Sequence, residues 1–234
     1  MANTVSGPLE DRIARVRERI AAACRRSGRR PEDVKLIAVS KTVPPDQIRQ
    51  AYESGLRDFG ENRVQEAEAK RSGLRDRAIT WHMVGHLQTN KAKLARELFD
   101  WVQSVDSSRL AQKLEQAAVP SRERLPILLQ VNLGQEASKS GLREAEAAQL
   151  AEEASQLSTL EVRGLMTLPP FFEDPEQIRP FFRRLRELAQ TIESRGIPHV
   201  SMRELSMGMS HDFEVAIEEG ATMIRVGTAI YGPR

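Results

Sequence analysis

Lys41 is the residue of this sequence best placed to act as a nucleophile. It follows the apolar run Leu36-Ile37-Ala38-Val39 after a single serine. An amine at the end of a buried strand is costly to keep charged, and partial burial would make it a better nucleophile, so Schiff-base formation with a carbonyl is the chemistry it offers. Spacing alone favours the plainer reading, a lysine whose stem is covered and whose ammonium reaches water.

Two segments near the end of the chain, ELSMGMSHDFEVAIEEG and ATMIRVGTAIYG, each join an apolar stretch to a helix start through glycine and small hydroxyl residues. In the first these are Ser206, Gly208 and Ser210, and in the second Gly227 and Thr228. Glycine lets backbone amides approach an anion, and hydroxyls and helix starts add donors, so phosphate is the natural ligand. Taken singly, each glycine reads as a tight turn. Arg225, two residues before Gly227, interrupts an apolar strand, and its charge must meet either a ligand or a carboxylate. Asn62 ends the short second strand candidate and is suited equally to hydrogen-bonding a ligand and to ending the strand or capping the next helix. His82 and His86 have the spacing of a helical zinc pair, but Met83-Val84-Gly85 reads as a strand end, so metal binding is not expected.

The elements that must position these groups alternate. Strands are predicted at 34–41, 58–62, 80–84, 101–105, 127–133, 162–168, 204–207 and 223–226. Helices are predicted at 45–52, 64–70, 91–99, 109–118, 144–157, 177–194 and 213–218, with a further one near the start, where Ile13, Val16 and Ile20 recur at helical spacing. Strict alternation points to a parallel α/β architecture, and eight units suggest closure into a (β/α)8 TIM barrel with an extra amino-terminal helix. An open doubly wound sheet is the alternative, because periodicity counts strands poorly. A barrel carries its working face at the carboxyl ends of its strands and its phosphate site after the last two, where both glycine segments fall.

Length and charge agree with this. The 234 residues suit one domain spanning 1–234, near the roughly 250 residues typical of such barrels. Lys and Arg number 35 against 33 Asp and Glu, so nothing global points to nucleic acid or a membrane. The Arg-rich opening is interspersed with Glu10, Asp11 and Glu18 and reads as a solvated helix face. No run approaches the roughly 20 apolar residues of a membrane span, no signal peptide is evident, and the one cysteine, Cys24, cannot form an intrachain disulfide. A cytoplasmic protein is expected.

The motifs IAVSKTVPPDQIRQAYESGLRDFGENRVQEAEAK, WHMVGHLQTNK, VRGLMTLPP and LSMGMSHDFEVAIEEGATMIRVGTAIYG closely resemble the YggS/PROSC family of pyridoxal phosphate homeostasis proteins over nearly the whole chain. The resemblance implies a fold-type III barrel like the amino-terminal domain of alanine racemase, with pyridoxal phosphate joined to Lys41. By the same resemblance Ser206, Ser210, Gly227 and Thr228 surround the phosphate, Arg225 faces the pyridine nitrogen, and Asn62 and Met166 line the cofactor.

The implied role is to carry, buffer or deliver pyridoxal phosphate, as a monomer whose partners are apoenzymes that need it. The alternatives are a racemase-like enzyme and, from the residues alone, a Schiff-base aldolase without cofactor. Efficient racemisation is not expected, because alanine racemase takes its second base from a tyrosine of a separate carboxyl-terminal domain. The two tyrosines here, Tyr52 and Tyr231, lie in no matching segment, and the chain ends at Arg234. No catalytic residue is therefore expected.

Overall fold

The computed structural model describes residues 7–74, 77–119, 124–134 and 140–233. Its eight parallel strands follow one another in sequence order: β1 Lys35–Val39, β2 Asp58–Glu61, β3 Thr80–Met83, β4 Trp101–Val105, β5 Leu125–Val131, β6 Leu160–Thr167, β7 Val200–Met209 and β8 Met223–Val226. The last strand pairs with the first, Ala38 opposite Val226, so the sheet closes and the open alternative falls. Between and after the strands run α2 Pro45–Glu53, α3 Val64–Arg71, α4 Ala92–Leu98, α5 Ser108–Gln116, α6 Ala147–Ser155, α7 Arg179–Glu193, α8 Phe213–Glu218 and the short α9 Thr228–Tyr231, while α1 Leu9–Arg26 precedes the barrel.

The pleat divides the strands into two layers, since alternate side chains point to opposite faces. Ala38, Phe59, Leu165, Ile224 and Val226 face the helices and belong to the large core between barrel wall and helical ring. Ile37, Leu128, Met166 and Met223 form a separate small cluster that fills the barrel interior. Helix α1 buries Ile13, Val16, Ile20 and Cys24 along one stripe, as its spacing predicts. Its arginines lie outward, where Arg19 pairs with Glu214 at 2.7 Å and Arg26 with Glu218 at 2.6 Å, so the basic opening is tied to α8.

Element boundaries differ from expectation where polar residues mask a strand. β7 starts at Val200 rather than Glu204 because Arg203 and Glu204 interrupt its apolar pattern, and Ser40, Lys41 and Asn62 lie beyond their strands. The predicted helices at 91–99, 144–157 and 177–194 open instead with 3₁₀ turns over Thr89–Lys91, Glu144–Glu146 and Pro175–Ile178. The register of β6 against β7 slips between Val162 and Gly164. There Gly164 presses on the neighbouring strand so closely that a Cβ would lie 1.8 Å from the Glu204 carbonyl oxygen.

Candidate functional site

The carboxyl rim of the barrel collects the predicted groups. After Val39 the chain leaves the sheet in a tight turn: the Ser40 amide donates to the Gly60 carbonyl at 2.9 Å and the Val43 amide to the Ser40 carbonyl at 2.9 Å. Thr42 takes a left-handed backbone with φ 63°. This turn lifts Lys41 off the sheet, and the lysine is exposed. The partial burial considered for it in the sequence is absent, and among the described residues its ammonium makes no hydrogen bond or ion pair.

Arg225 is 3% exposed, with its side chain in the barrel interior. It donates through Nη1 to the Ser206 hydroxyl oxygen at 2.5 Å and through Nη2 to the Thr167 carbonyl at 2.8 Å. No carboxylate lies within ion-pair distance among the described residues. Burial lowers its pKa to about 10, with the Asp212 carboxylate opposing that fall, so the guanidinium stays charged at neutral pH. A buried cation without a paired anion is expensive and marks a place prepared for an acceptor.

Ser206 continues a polar chain across the interior. Its hydroxyl donates to Gln103 Oε1 at 2.6 Å, Gln103 Nε2 meets His82 Nδ1 at 3.0 Å, and His82 Nε2 meets Asp58 Oδ1 at 2.8 Å. The polarity is consistent for a neutral histidine: with the amide assigned in this sense, His82 accepts from Gln103 and donates to Asp58. The chain therefore runs from Arg225 near the rim to Asp58, the first residue of β2, at the opposite end of the barrel. In this arrangement the Ser206 proton goes to Gln103 and its oxygen to Arg225, which sets it apart from the predicted phosphate cluster.

Ser210, just past β7, does meet the second glycine segment. Its hydroxyl oxygen accepts the amides of Gly227 and Ala229, each at 3.2 Å, so two backbone donors converge on one oxygen at the start of α9. Thr228 is exposed between them. The approach depends on Gly208, whose φ is 91° and where a Cβ would stand 2.6 Å from Ala216 Cβ. Met209 lies opposite Arg225 in the ladder, so the Ser210 turn and the guanidinium occupy adjacent strand ends.

Asn62 is half-buried after β2 and does not cap α3, whose N-cap is Arg63 without a side-chain capping bond. Next to it a cavity of about 470 Å³, lined in part by Asn62, Gly85 and His86, opens between the ends of β2 and β3. Its size falls in the range of roughly 300–1,000 Å³ usual for ligand clefts. Met166 is fully buried in the interior cluster, opposite Ser206 in the ladder. His86 is exposed, 3.6 Å from Asp106, while both ring nitrogens of His82 are engaged inside the barrel. Sequence reasoning did not single out Gln103. Its signal was a lone amide in the inward parity of Trp101-Val102-Gln103-Ser104-Val105.

Complete burial pushes the His82 imidazole pKa below its ordinary value of 6.5, against the pull of Asp58. Asp58, despite its own burial, is held below the usual carboxylate range by His82 and Lys35. A group whose folded pKa is depressed contributes stability that is complete above its unfolded pKa and is lost as pH falls through the folded value. The His82 contribution should therefore decline below about pH 6.5, with a limiting slope of about 1.4 kcal/mol per pH unit. Urea unfolding between pH 7.5 and pH 5 is expected to show this slope, and His82→Gln to flatten it. An unchanged slope in the variant would contradict a neutral buried histidine.

These features fit a phosphorylated aldehyde cofactor: a free amine on the rim, a buried cation lacking an anion, and converging amides at a glycine turn. Residues 12–234 match the family described as alanine racemase, N-terminal domain, so the barrel is of that cofactor-binding class. The chain is 45% identical to the pyridoxal phosphate homeostasis protein of Aquifex aeolicus (strain VF5), over 96% of this chain and 97% of that protein. It is 41% identical to the one from Escherichia coli (strain K12), over 95% of each. It belongs to the pyridoxal phosphate homeostasis protein family. PipY of Synechococcus elongatus PCC7942, solved with PLP bound, shares 40% identity at a TM-score of 0.85 and covers 96% of this chain and 100% of its own. Alanine racemase of Clostridium difficile 630, at 16% identity and a TM-score of 0.71, shares the fold over 97% of this chain and 56% of that one.

Proposed function

We propose that this chain binds pyridoxal phosphate through a Schiff base on Lys41 and serves to buffer the cofactor and deliver it to apoenzymes. The observation that carries the reading is the placement of an unpaired lysine, a buried unpaired arginine and a converging amide turn at one end of the barrel. Bound there, pyridoxal phosphate supplies an aldehyde that an amine can capture and a ring that can accept electrons. Lys41 provides the amine, and its exposure on the rim leaves it open to exchange. The Ser210 and Gly227-Thr228 turn holds the phosphate, Asn62 and Met166 border the ring, and Arg225 faces the ring nitrogen. Ser206 acts through Arg225, whose guanidinium it anchors. A guanidinium still protonated at neutral pH does not donate its proton to that nitrogen, which weakens the ring as an electron sink.

For the same reason the reading includes little or no racemase turnover. Racemisation needs an acid or base on each face of the substrate carbon. Tyr52 packs under Arg57, whose guanidinium carbon lies 4.0 Å from its ring centroid, next to the start of β2 and so at the end of the barrel away from Lys41. The relatives named above are homeostasis proteins. We place the chain in the cytoplasm as a monomer, one cofactor-binding barrel over 1–234. Cys24, its one thiol, is buried and free, and among the described residues no helix is long and apolar enough to cross a membrane.

The test is borohydride reduction of the protein with pyridoxal phosphate, followed by peptide mapping. Attachment is expected on the peptide that carries Lys41. Lys41→Ala should abolish it and the absorbance band of the Schiff base while leaving noncovalent binding. Attachment at Lys35 or Lys91 would overturn the assignment, and a chiral assay showing Lys41-dependent racemisation near the roughly 10 per second median of enzymes would overturn the carrier role.

A further inference from the structure

Outside the barrel wall, directly behind Lys41, lies a charged knot that none of the chemistry above uses. Ser40 and Glu61 continue the outward parity of Ala38 and Phe59, so their side chains enter the layer under α3. The Ser40 hydroxyl donates to Glu61 Oε1 at 2.6 Å. The Lys70 ammonium, from the last turn of α3, donates to that same oxygen at 2.8 Å, to the Ser40 carbonyl at 2.6 Å and to Glu66 Oε1 at 2.7 Å. The Glu66 carboxylate also accepts the amide of Thr42.

The two residues flanking Lys41 are thereby tied to one ammonium: Ser40 directly by its carbonyl, Thr42 through Glu66. The Lys70 side chain is 8% exposed and that of Glu61 0%. Desolvating such charges costs enough that an apolar pair of similar volume would usually be as stable there or more so. The ties also hold Thr42 in the left-handed region, an unfavourable backbone for a β-branched residue that persists only when its surroundings enforce it.

We propose that Lys70, with Glu61 and Glu66, is a positioning group for Lys41: it fixes the 40–42 turn in the conformation from which the lysine amine meets the cofactor aldehyde. This rests on the assignment of Lys41 as the attachment residue. The knot acts on the lysine backbone and not on the phosphate turn, which lies on strands β7 and β8. Removing it should impair covalent capture while sparing noncovalent binding.

The experiment uses full-length protein with Lys70→Met and Lys70→Arg, each made in the native and the Lys41→Ala backgrounds. Stopped-flow absorbance follows Schiff-base formation, and equilibrium dialysis measures cofactor affinity. Lys70→Met is expected to slow Schiff-base formation at least tenfold and to lower the fraction fixed by borohydride. In the Lys41→Ala background the same change should alter affinity less than twofold. Lys70→Arg, which keeps a cation and several donors, should recover part of the rate. Should Lys70→Met fail to fold, Glu66→Ala releases the Thr42 amide from a partly exposed position and is expected to give the same split. An unchanged rate, or an equal loss of affinity in both backgrounds, overturns the proposal. Borohydride fixation that survives Lys41→Ala would instead overturn the attachment assignment.

Discussion

Pyridoxal phosphate is expected to bind about 10² to 10⁴ times more tightly than pyridoxal. The Gly227 and Ala229 amides converge on the Ser210 oxygen in this structure, and a phosphate reaching the same turn would take such donors as charge-assisted bonds. Each is worth about 1.5–3 kcal/mol, and about 1.4 kcal/mol is a factor of ten in affinity, so two contacts give that range. Isothermal titration of the two ligands on Lys41→Ala protein isolates the phosphate contribution from covalent capture. Ser210→Glu, which sets a carboxylate in the turn, should remove most of the difference. Equal affinities for the two ligands in the unsubstituted turn would contradict the phosphate site.

Gly164→Val should be among the most destabilising single changes available to the barrel. The glycine lies in β6 where the strand presses on β7, and an added Cβ would fall 1.8 Å from the Glu204 carbonyl oxygen, 2.6 Å from its carbonyl carbon and 2.9 Å from its amide nitrogen. All three are backbone atoms, so relief requires a strand to move and the ladder to break locally. Overpacking ordinarily costs about 1–3 kcal/mol, and a clash with backbone in a closed sheet should exceed that, at about 4 kcal/mol or more. For a chain of this size that corresponds to a fall in Tm of roughly 8–16 °C. Differential scanning calorimetry measures it, and a change below about 2 °C would show that the β6–β7 slip absorbs the side chain.

The barrel and the position of its rim were legible in the sequence because most strands are apolar runs bounded by turn residues, the short polar β2 and the interrupted β7 excepted. Lys41, Asn62, Ser210 and Gly227 all fall at strand ends, and strand ends define the rim. The inward or outward sense of residues within a strand was not legible. Runs buried on both faces carry no alternation, so parity is hidden, and Ser206 could not be separated from Ser210 by residue type. Only closure of the sheet places Ser206 opposite Met166, inside, with Gln103 and Arg225 as partners. Lys70 was hidden differently. With Glu66 at i and Lys70 at i+4 it reads as an ordinary surface pair, and its contact with Ser40, thirty residues earlier, depends on how α3 lies on the barrel. The family motifs supplied cofactor roles that residue spacing alone left open.

Among the described residues, hydrogen-bonded side chains cross the interior from Arg225 to Asp58, so the barrel resembles a stoppered vessel whose doorway is on the Lys41 side. With Lys41 as the proposed attachment residue, cargo would arrive and leave on the side where it stands. An acceptor protein of the kind proposed would have to approach that doorway, or wait for the cargo to diffuse out of it. Bulky groups fixed to the opposite end, on the turns that lead into the strands, should leave traffic through the doorway undisturbed.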